Sequence, residues 1–410
     1  MDLLEPVVQP YAWGSREAIA ELQGRPVPSP GPEAELWMGA HPSAPSGVER
    51  DGRHTTLDAV IAADPQAALG PEVAARFGGR LPFLLKVLAA SSALSIQVHP
   101  SRAQAEAGYR AEAERGLAPG DKSRNYVDDW PKPEILCALT RFEVLAGLRA
   151  PADAAQLLAR LGVPALSPLA SELEAAAGRG EAAGGDPSAL GRVLARILGW
   201  PADSSQQLIG SVVAACEQVA AGSGRYAAAC AATVRIAAEH PGDLGIIASL
   251  LLRYGVLEPG EAVFLPAGGL HAYLRGTGVE LLANSDNVVR AGLTSKHIDI
   301  PELLKLADPA VPVPRLMPRD LGDGIAVYDS PAPEFRLYRA SLGDRAVTVP
   351  GAGPRLVFVV AGTLEVRDTA AGPVKLGRGE SAFLPFSDGA ATASGPAEAF
   401  IASVASALHQ

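Results

Sequence analysis

The stretch EPGEAVFLPAGGLHAYLRGTGVELLANSDN, residues 258–287, alternates short apolar runs with glycine-rich turns. Ala-Val-Phe-Leu has the length of a buried strand, and Pro-Ala-Gly-Gly ends it. Proline lacks a ladder donor, and glycine reaches backbone angles that other residues avoid.

Downstream, GESAFLPFS (379–387) resembles GEAVFLPAG (260–268): each sets Gly-Glu, two further residues, then Phe-Leu-Pro. This weak internal repeat predicts two related β-barrels of the jelly-roll or cupin kind. FRLYRASL, PRLVFVVAGTLEV and EAFIASVAS supply further short strands between 324 and 410, and the Pro- and Asp-rich residues 308–323 read as a linker. Upstream, LPFLLKVLAA (81–90), ALSIQVHP (93–100), EILCAL and FEVLAGLR (134–149) are apolar runs bounded by turn residues, and residues 101–116 have helix-former composition. Residues 151–250 change character: PADAAQLLARLG starts on Pro and stops on Gly, and DPSALGRVLARILG sets Asp at an N-cap with Pro next. Four or five packed helices are predicted there. The expected fold is mainly β with an α-helical insertion: residues 1–150 and 251–307 form one discontinuous β-barrel domain, 151–250 the helical domain and 308–410 a second β-barrel domain.

Bulk properties narrow the function. The chain has 410 residues, 48% of them apolar, and a net charge of -10. An acidic chain of this kind lacks the basic face of a nucleic-acid binder, yet a few local Lys and Arg suffice for one phosphate. Three cysteines, Cys137, Cys216 and Cys230, form no CxxC pair and fit a reduced interior. The most apolar run, Ile246 to Leu252, is too short for a bilayer, and the first residues lack a signal-peptide pattern. The expectation is a cytoplasmic protein with no membrane partner.

Gln97 and His99 alternate with Val98 and so share one face of a strand. Alone they read first as a hydrogen-bonded polar pair at the mouth of a barrel, since polar strand faces are common. Glu134 begins an apolar strand, where a carboxylate is ordinarily solvated, and His271 follows glycines that permit close backbone approach. Together, two His, a carboxylate and an amide oxygen suit zinc or a similar divalent ion with an open water position. Their spacing does not establish it, because the four lie far apart in sequence. Lys86 sits in an apolar run, where an inward-facing lysine requires an anionic partner; it can equally face outward.

The segments YAWGS (11–15), ELWMGAHPSAPS (35–46), LPFLLKVLAA, LSIQVHPS, RNY with KPE (124–134) and VELLANSDNVVRAGLTSKHIDIPELLK (279–305) resemble type I mannose-6-phosphate isomerases, in the family's order and at its intervals. SIQVHP and ANSDNVVRAGLT are long, specific signatures of that family. Pro131 and Arg141 depart from it, where relatives often carry His and Pro. The resemblance implies one Zn2+ held by Gln97, His99, Glu134 and His271. It implies an essential Arg290, phosphate contacts at Lys86 and Ser95, and further active-site positions at Lys132, Tyr273, Glu280, Asp286 and Lys296. Glu280 and Lys296 lead for the general base. The implied reaction interconverts D-mannose 6-phosphate and D-fructose 6-phosphate through a cis-enediol. Relatives of this type imply a monomer whose partner is a small sugar phosphate.

Three other readings compete. An iron-dependent oxygenase shares the His and carboxylate ligand types but needs no phosphate grip. A non-catalytic sugar-phosphate sensor would be expected to have lost a ligand or Arg290. An isomerase with a shifted aldose substrate retains every residue named.

Overall fold

Strand Phe83–Ala90 is apolar except for Lys86, is buried along its whole length, and pairs with two neighbours, Glu35–Met38 and His271–Ala283. The computed structural model describes residues 1–50, 52–118, 120–178, 186, 188–369 and 372–405.

The 13-residue strand His271–Ala283 organises the first sheet. Its first part pairs with Ile96–Val98 and Phe142–Leu148, and its second with Phe83–Ala90 and Glu134–Ala138. The change of partners falls at Gly276, whose φ is 136°, and a Cβ there would lie 2.7 Å from the Phe142 ring. Glycine is required at that bend. The second sheet repeats the device. Strand Arg355–Arg367 pairs first with Ser381–Leu384 and Ala397–Ser403, then with Val374–Gly377 and Thr392–Ser394, and Gly362 at φ 76° lies at its turn. Both repeated phrases form strands, Ala262–Leu265 and Ser381–Leu384, each entered from a glycine of positive φ. Among the described residues neither sheet closes into a barrel.

Helices fill the middle of the chain as expected, at Pro151–Leu161, Ser167–Ala177, Ser188–Leu198, Ala202–Ala220 and Ala227–Glu239. Gly162 caps the first in the left-handed conformation. Asp186 accepts from the Ser188 amide, and the expected first-turn Pro187 lies outside the described residues. The apolar faces of these helices join the His271 end of the first sheet in one core that includes Ile96, Val98, Leu145 and Ala272.

Two expectations need correction. The segment 308–323 is no simple linker: Arg315–Leu316 pairs with Ala262–Val263 of the first sheet, and Arg319–Gly322 pairs with Ile325–Tyr328 of the second. Backbone groups beside a sheet edge are satisfied best by joining it. Residues 57–76 form three short helices that the β reading of 1–150 missed, two of them beginning on Pro65 and Pro71.

Candidate metal centre and active site

His271 opens the bent strand directly opposite Gln97, and Glu134 opens the strand paired to Leu265 and Leu282. His99 follows the strand that carries Gln97. These strand ends bring His99, Glu134 and His271 together, with one donor atom from each lying within 4.8 Å of the others, and all three are buried.

Both rings have their tautomer fixed. His99 Nδ1 lies 2.7 Å from the Asn287 carbonyl, and His271 Nδ1 lies 3.0 Å from the Gly269 carbonyl, so each Nδ1 carries the proton and donates it. The Nε2 atoms are left facing Glu134, at 3.3 Å from Oε1 for His99 and 3.6 Å from Oε2 for His271. His99 Nε2 and Glu134 Oε2 are buried without a hydrogen-bond partner. Unprotonated nitrogen against carboxylate oxygen is repulsive unless a cation lies between them. Burial holds His99 down at about 4, so the ring is neutral near pH 7. The fourth expected ligand, Gln97, places its amide 3.2 Å from His271 Nε2, and turning the amide brings its oxygen to that position. The donor set therefore fits a divalent ion of the zinc type.

Beside this cluster lies a buried charged row. Lys86 faces inward, with Nζ 3.1 Å from Glu35 Oε1 and 2.9 Å from Glu280 Oε2. Burial would lower the lysine, but Glu280 and Glu35 outweigh it and raise it. Glu280 is itself pushed up, by burial first and then by Glu134 and Glu35, against the pull of Lys86. Lys132 Nζ sits 3.3 Å from Glu134 Oε1. The Tyr273 hydroxyl is buried without a partner and is pushed up by burial and by the nearby carboxylates Glu280 and Glu134.

All of this opens into one cavity of about 700 Å³. Its wall includes Lys86, Ser95, Gln97, Lys132, Glu134, Tyr273, Glu280, Asp286, Arg290 and Lys296, while His99 and His271 are off the wall and contact Glu134, which is on it. Every site residue expected from the sequence thus belongs to one place. Arg290 is the register partner of Gln97 on the neighbouring strand, and burial lowers its guanidinium. Burial and Arg290 together lower Lys296, against Asp286. Neither cation forms an ion pair among the described residues. The loop before Arg290 is pinned by Asn287, whose side chain accepts from Val127 N at 2.7 Å and donates to Asp128 O and Trp130 O at 2.8 Å. Asp286 Oδ1 stands 3.4 Å from His41 Nε2, a contact that helps hold its carboxyl below the usual range against burial.

Sequence reasoning missed Glu35, the second partner of Lys86. Its signal was the inward lysine itself, which needs an anion. It also missed Glu239, on the wall, and the part played by His240 beside it.

Residues 1–151 match the family model described as phosphomannose isomerase type I, catalytic domain. The mannose-6-phosphate isomerase of Escherichia coli (strain K12) is 36% identical over 395 residues, 95% of each chain, and that of Bos taurus is 34% identical over 412 residues, 93% of this chain and 92% of the other. Among solved structures, a variant of phosphomannose isomerase from Salmonella typhimurium superposes with a TM-score of 0.86 at 33% identity, covering 98% of both chains. A zinc-bound mannose 6-phosphate isomerase gives 0.85 at the same identity and coverage. Likeness of sequence and fold thus runs nearly from end to end, and the chain belongs to the type I phosphomannose isomerase family.

Proposed function

We propose that this chain is a zinc-dependent aldose–ketose isomerase that interconverts D-mannose 6-phosphate and D-fructose 6-phosphate through a cis-enediol. The observation that carries the reading is the buried cluster of His99, Glu134 and His271, with His99 Nε2 and Glu134 Oε2 lacking partners, beside a cavity that holds two cations without ion pairs among the described residues.

His99, Glu134, His271 and Gln97 would hold one Zn2+. When bound, the ion supplies a Lewis acid for the sugar's carbonyl and hydroxyl oxygens. The residues do the rest. Arg290 and Lys296 form a cationic pocket for the phosphate dianion, and Arg290 offers it a planar fork. An ammonium has three donors, and Lys86 gives two of them to Glu35 and Glu280. Its third, with the Ser95 hydroxyl, serves the substrate phosphate. Glu280 is the leading base: burial raises its proton affinity toward the working range of a group that must take a proton from one carbon and return it to the next. Lys296, the other candidate from the sequence, cannot grip phosphate as an ammonium and also accept the proton, and it is assigned here to the phosphate. Lys132, Tyr273 and Asp286 line the path, and the buried Tyr273 hydroxyl stands beside Glu280, where it can turn to a substrate oxygen.

The same reading divides the chain into a catalytic cupin-type unit at 1–150 and 251–307, a helical insertion at 151–250 and a cupin-like unit at 308–410. Its partner is a small sugar phosphate, with neither nucleic acid nor membrane, and it acts as a monomer in the cytoplasm. Among the described residues no helix is long and apolar enough to cross a membrane.

The test is turnover of mannose 6-phosphate by purified protein, before and after chelation, with zinc added back. Metal-dependent formation of fructose 6-phosphate is expected. Folded, zinc-loaded protein without turnover would overturn the proposal.

A further inference from the structure

The end of the helical segment touches the site at two points. Helix Ala227–Glu239 stops at His240, and Glu239 and His240, which open the turn Glu-His-Pro-Gly-Asp (239–243), line the cavity. Glu239 Oε2 accepts the backbone N–H of Ala93 at 2.7 Å, and His240 Nε2 lies 2.9 Å from the Ala93 carbonyl. Two consecutive side chains therefore hold both polar groups of one residue, two positions ahead of Ser95. The other Glu239 oxygen lies 3.6 Å from Arg275.

The second point is Asp243. Its Oδ1 accepts the Gly245 amide at 2.6 Å, and its Oδ2 accepts the Thr294 amide at 3.0 Å. Thr294 Oγ1 in turn accepts the Lys296 amide at 3.0 Å. Beside this bridge the two backbones touch: a Cβ on Gly292 would lie 2.6 Å from Gly245 Cα. Leu293 between them is buried, with φ at 56°, a left-handed conformation that a leucine holds only when its surroundings impose it.

We infer that Glu239, His240 and Asp243 are positioning residues: they form a clamp by which the helical segment fixes the two loops that grip the phosphate, one carrying Ser95 and the other running from Arg290 to Lys296. This rests on the functional reading above for the identity of the anion. The clamp acts through backbone groups, so it sets where Ser95 and Lys296 stand without altering their chemistry. Loss of such a contact weakens binding of the phosphorylated end and leaves the reacting carbons less affected.

The test compares Glu239→Ala with Glu239→Gln, which keeps an acceptor for Ala93, and Asp243→Ala with Asp243→Asn. Two readouts are taken on zinc-loaded protein: kinetics with mannose 6-phosphate, and affinity for sorbitol 6-phosphate, which has no carbonyl to isomerise, against unphosphorylated sorbitol. The alanine variants should raise KM and the sorbitol 6-phosphate Kd together by about tenfold, with kcat within about threefold of the parent. Glu239→Gln should recover most of the loss. Folded alanine variants with unchanged KM and Kd, or with a loss confined to kcat, would overturn the clamp. Because binding is read apart from turnover, a parent chain that binds sorbitol 6-phosphate without isomerising overturns the functional reading and leaves the clamp to stand or fall on Kd alone. A parent that binds neither ligand overturns both.

Discussion

Lys86 and Glu280 are register partners on adjacent antiparallel strands, and their side chains meet at 2.9 Å inside the protein. Glu35, on the strand beyond, completes the group from the other side of the lysine at 3.1 Å. Replacing Lys86 by Met strands two buried carboxylates. Removing one partner of a buried ion pair costs about 3–5 kcal/mol. The expected outcome is a marked fall in melting temperature and a fall in kcat/KM of about a hundredfold or more, since Glu280 would hold its proton more tightly. Thermal unfolding and steady-state kinetics on the same preparation check it. A variant of parental stability would show that the lysine is not what keeps the carboxylates charged.

Removal of metal should leave a folded but inactive and less stable protein. The proposed ligands sit at the ends of strands that pair without an ion, yet His99 Nε2 and Glu134 Oε2 would be left buried without a partner. A ligand that binds only the folded state stabilises it by mass action. Calorimetry with and without zinc should show the higher transition in zinc, and His99→Ala should abolish both the shift and the bound metal measured by atomic emission.

Arg290→Lys keeps the charge and loses the planar fork. Losing a charge-assisted contact to the phosphate costs about 1.5–3 kcal/mol, roughly ten- to a hundredfold in binding. The loss should appear in kcat/KM, with bound zinc unchanged. Restoration of activity by lysine would show that charge alone is required there.

The pH profile should be narrower than free side chains would give. Glu280 is raised above 4.5, so as pH falls it is protonated, and lost as a base, earlier than an ordinary glutamate. Lys296 is lowered below 10.5, so as pH rises it loses its charge, and its hold on phosphate, earlier than an ordinary lysine. Log kcat/KM against pH should therefore fall on the acid side above 4.5 and on the basic side below 10.5. Lys296→Arg should move the basic limb upward and leave the acid limb in place. An unmoved basic limb would assign it to another group.

Gly276→Ala introduces a side chain at φ 136° against the Phe142 ring. Strain at such a position costs about 1–3 kcal/mol. Because the bend separates His271 from Glu280, zinc affinity should fall along with stability, measured by competition with a chelating dye.

Much of this was legible in the amino-acid sequence, for identifiable reasons. The strands 83–90, 134–138 and 142–148 follow from apolar runs bounded by Pro, Gly and polar pairs, and Gln97 with His99 from the two-residue period of a strand. The helices of the middle segment carried their own start and stop residues. Less legible was anything set by distant pairing. Glu35 opens an apolar strand just as Glu134 does, and nothing local says that either is buried. The short helices at 57–76 have capping and proline signals but span too few turns for a period to emerge. The two arms at Arg315 and Arg319 became strands because sheet edges lay within reach, and a Pro- and Asp-rich composition hides that. The loop contacts of Glu239 and Asp243 depend on where a helix ends relative to a sheet laid down 146 and 51 residues away.

The bent strand His271–Ala283 carries a proposed metal ligand, His271, at its start and the proposed base, Glu280, nine positions on, with the two parts seated on different partners. Inserting or deleting one residue between them would turn one of the two side chains to the opposite face of its sheet. This segment can therefore change by substitution but not by length, and any grafting of the site onto another scaffold must transfer the strand whole, with its glycine bend.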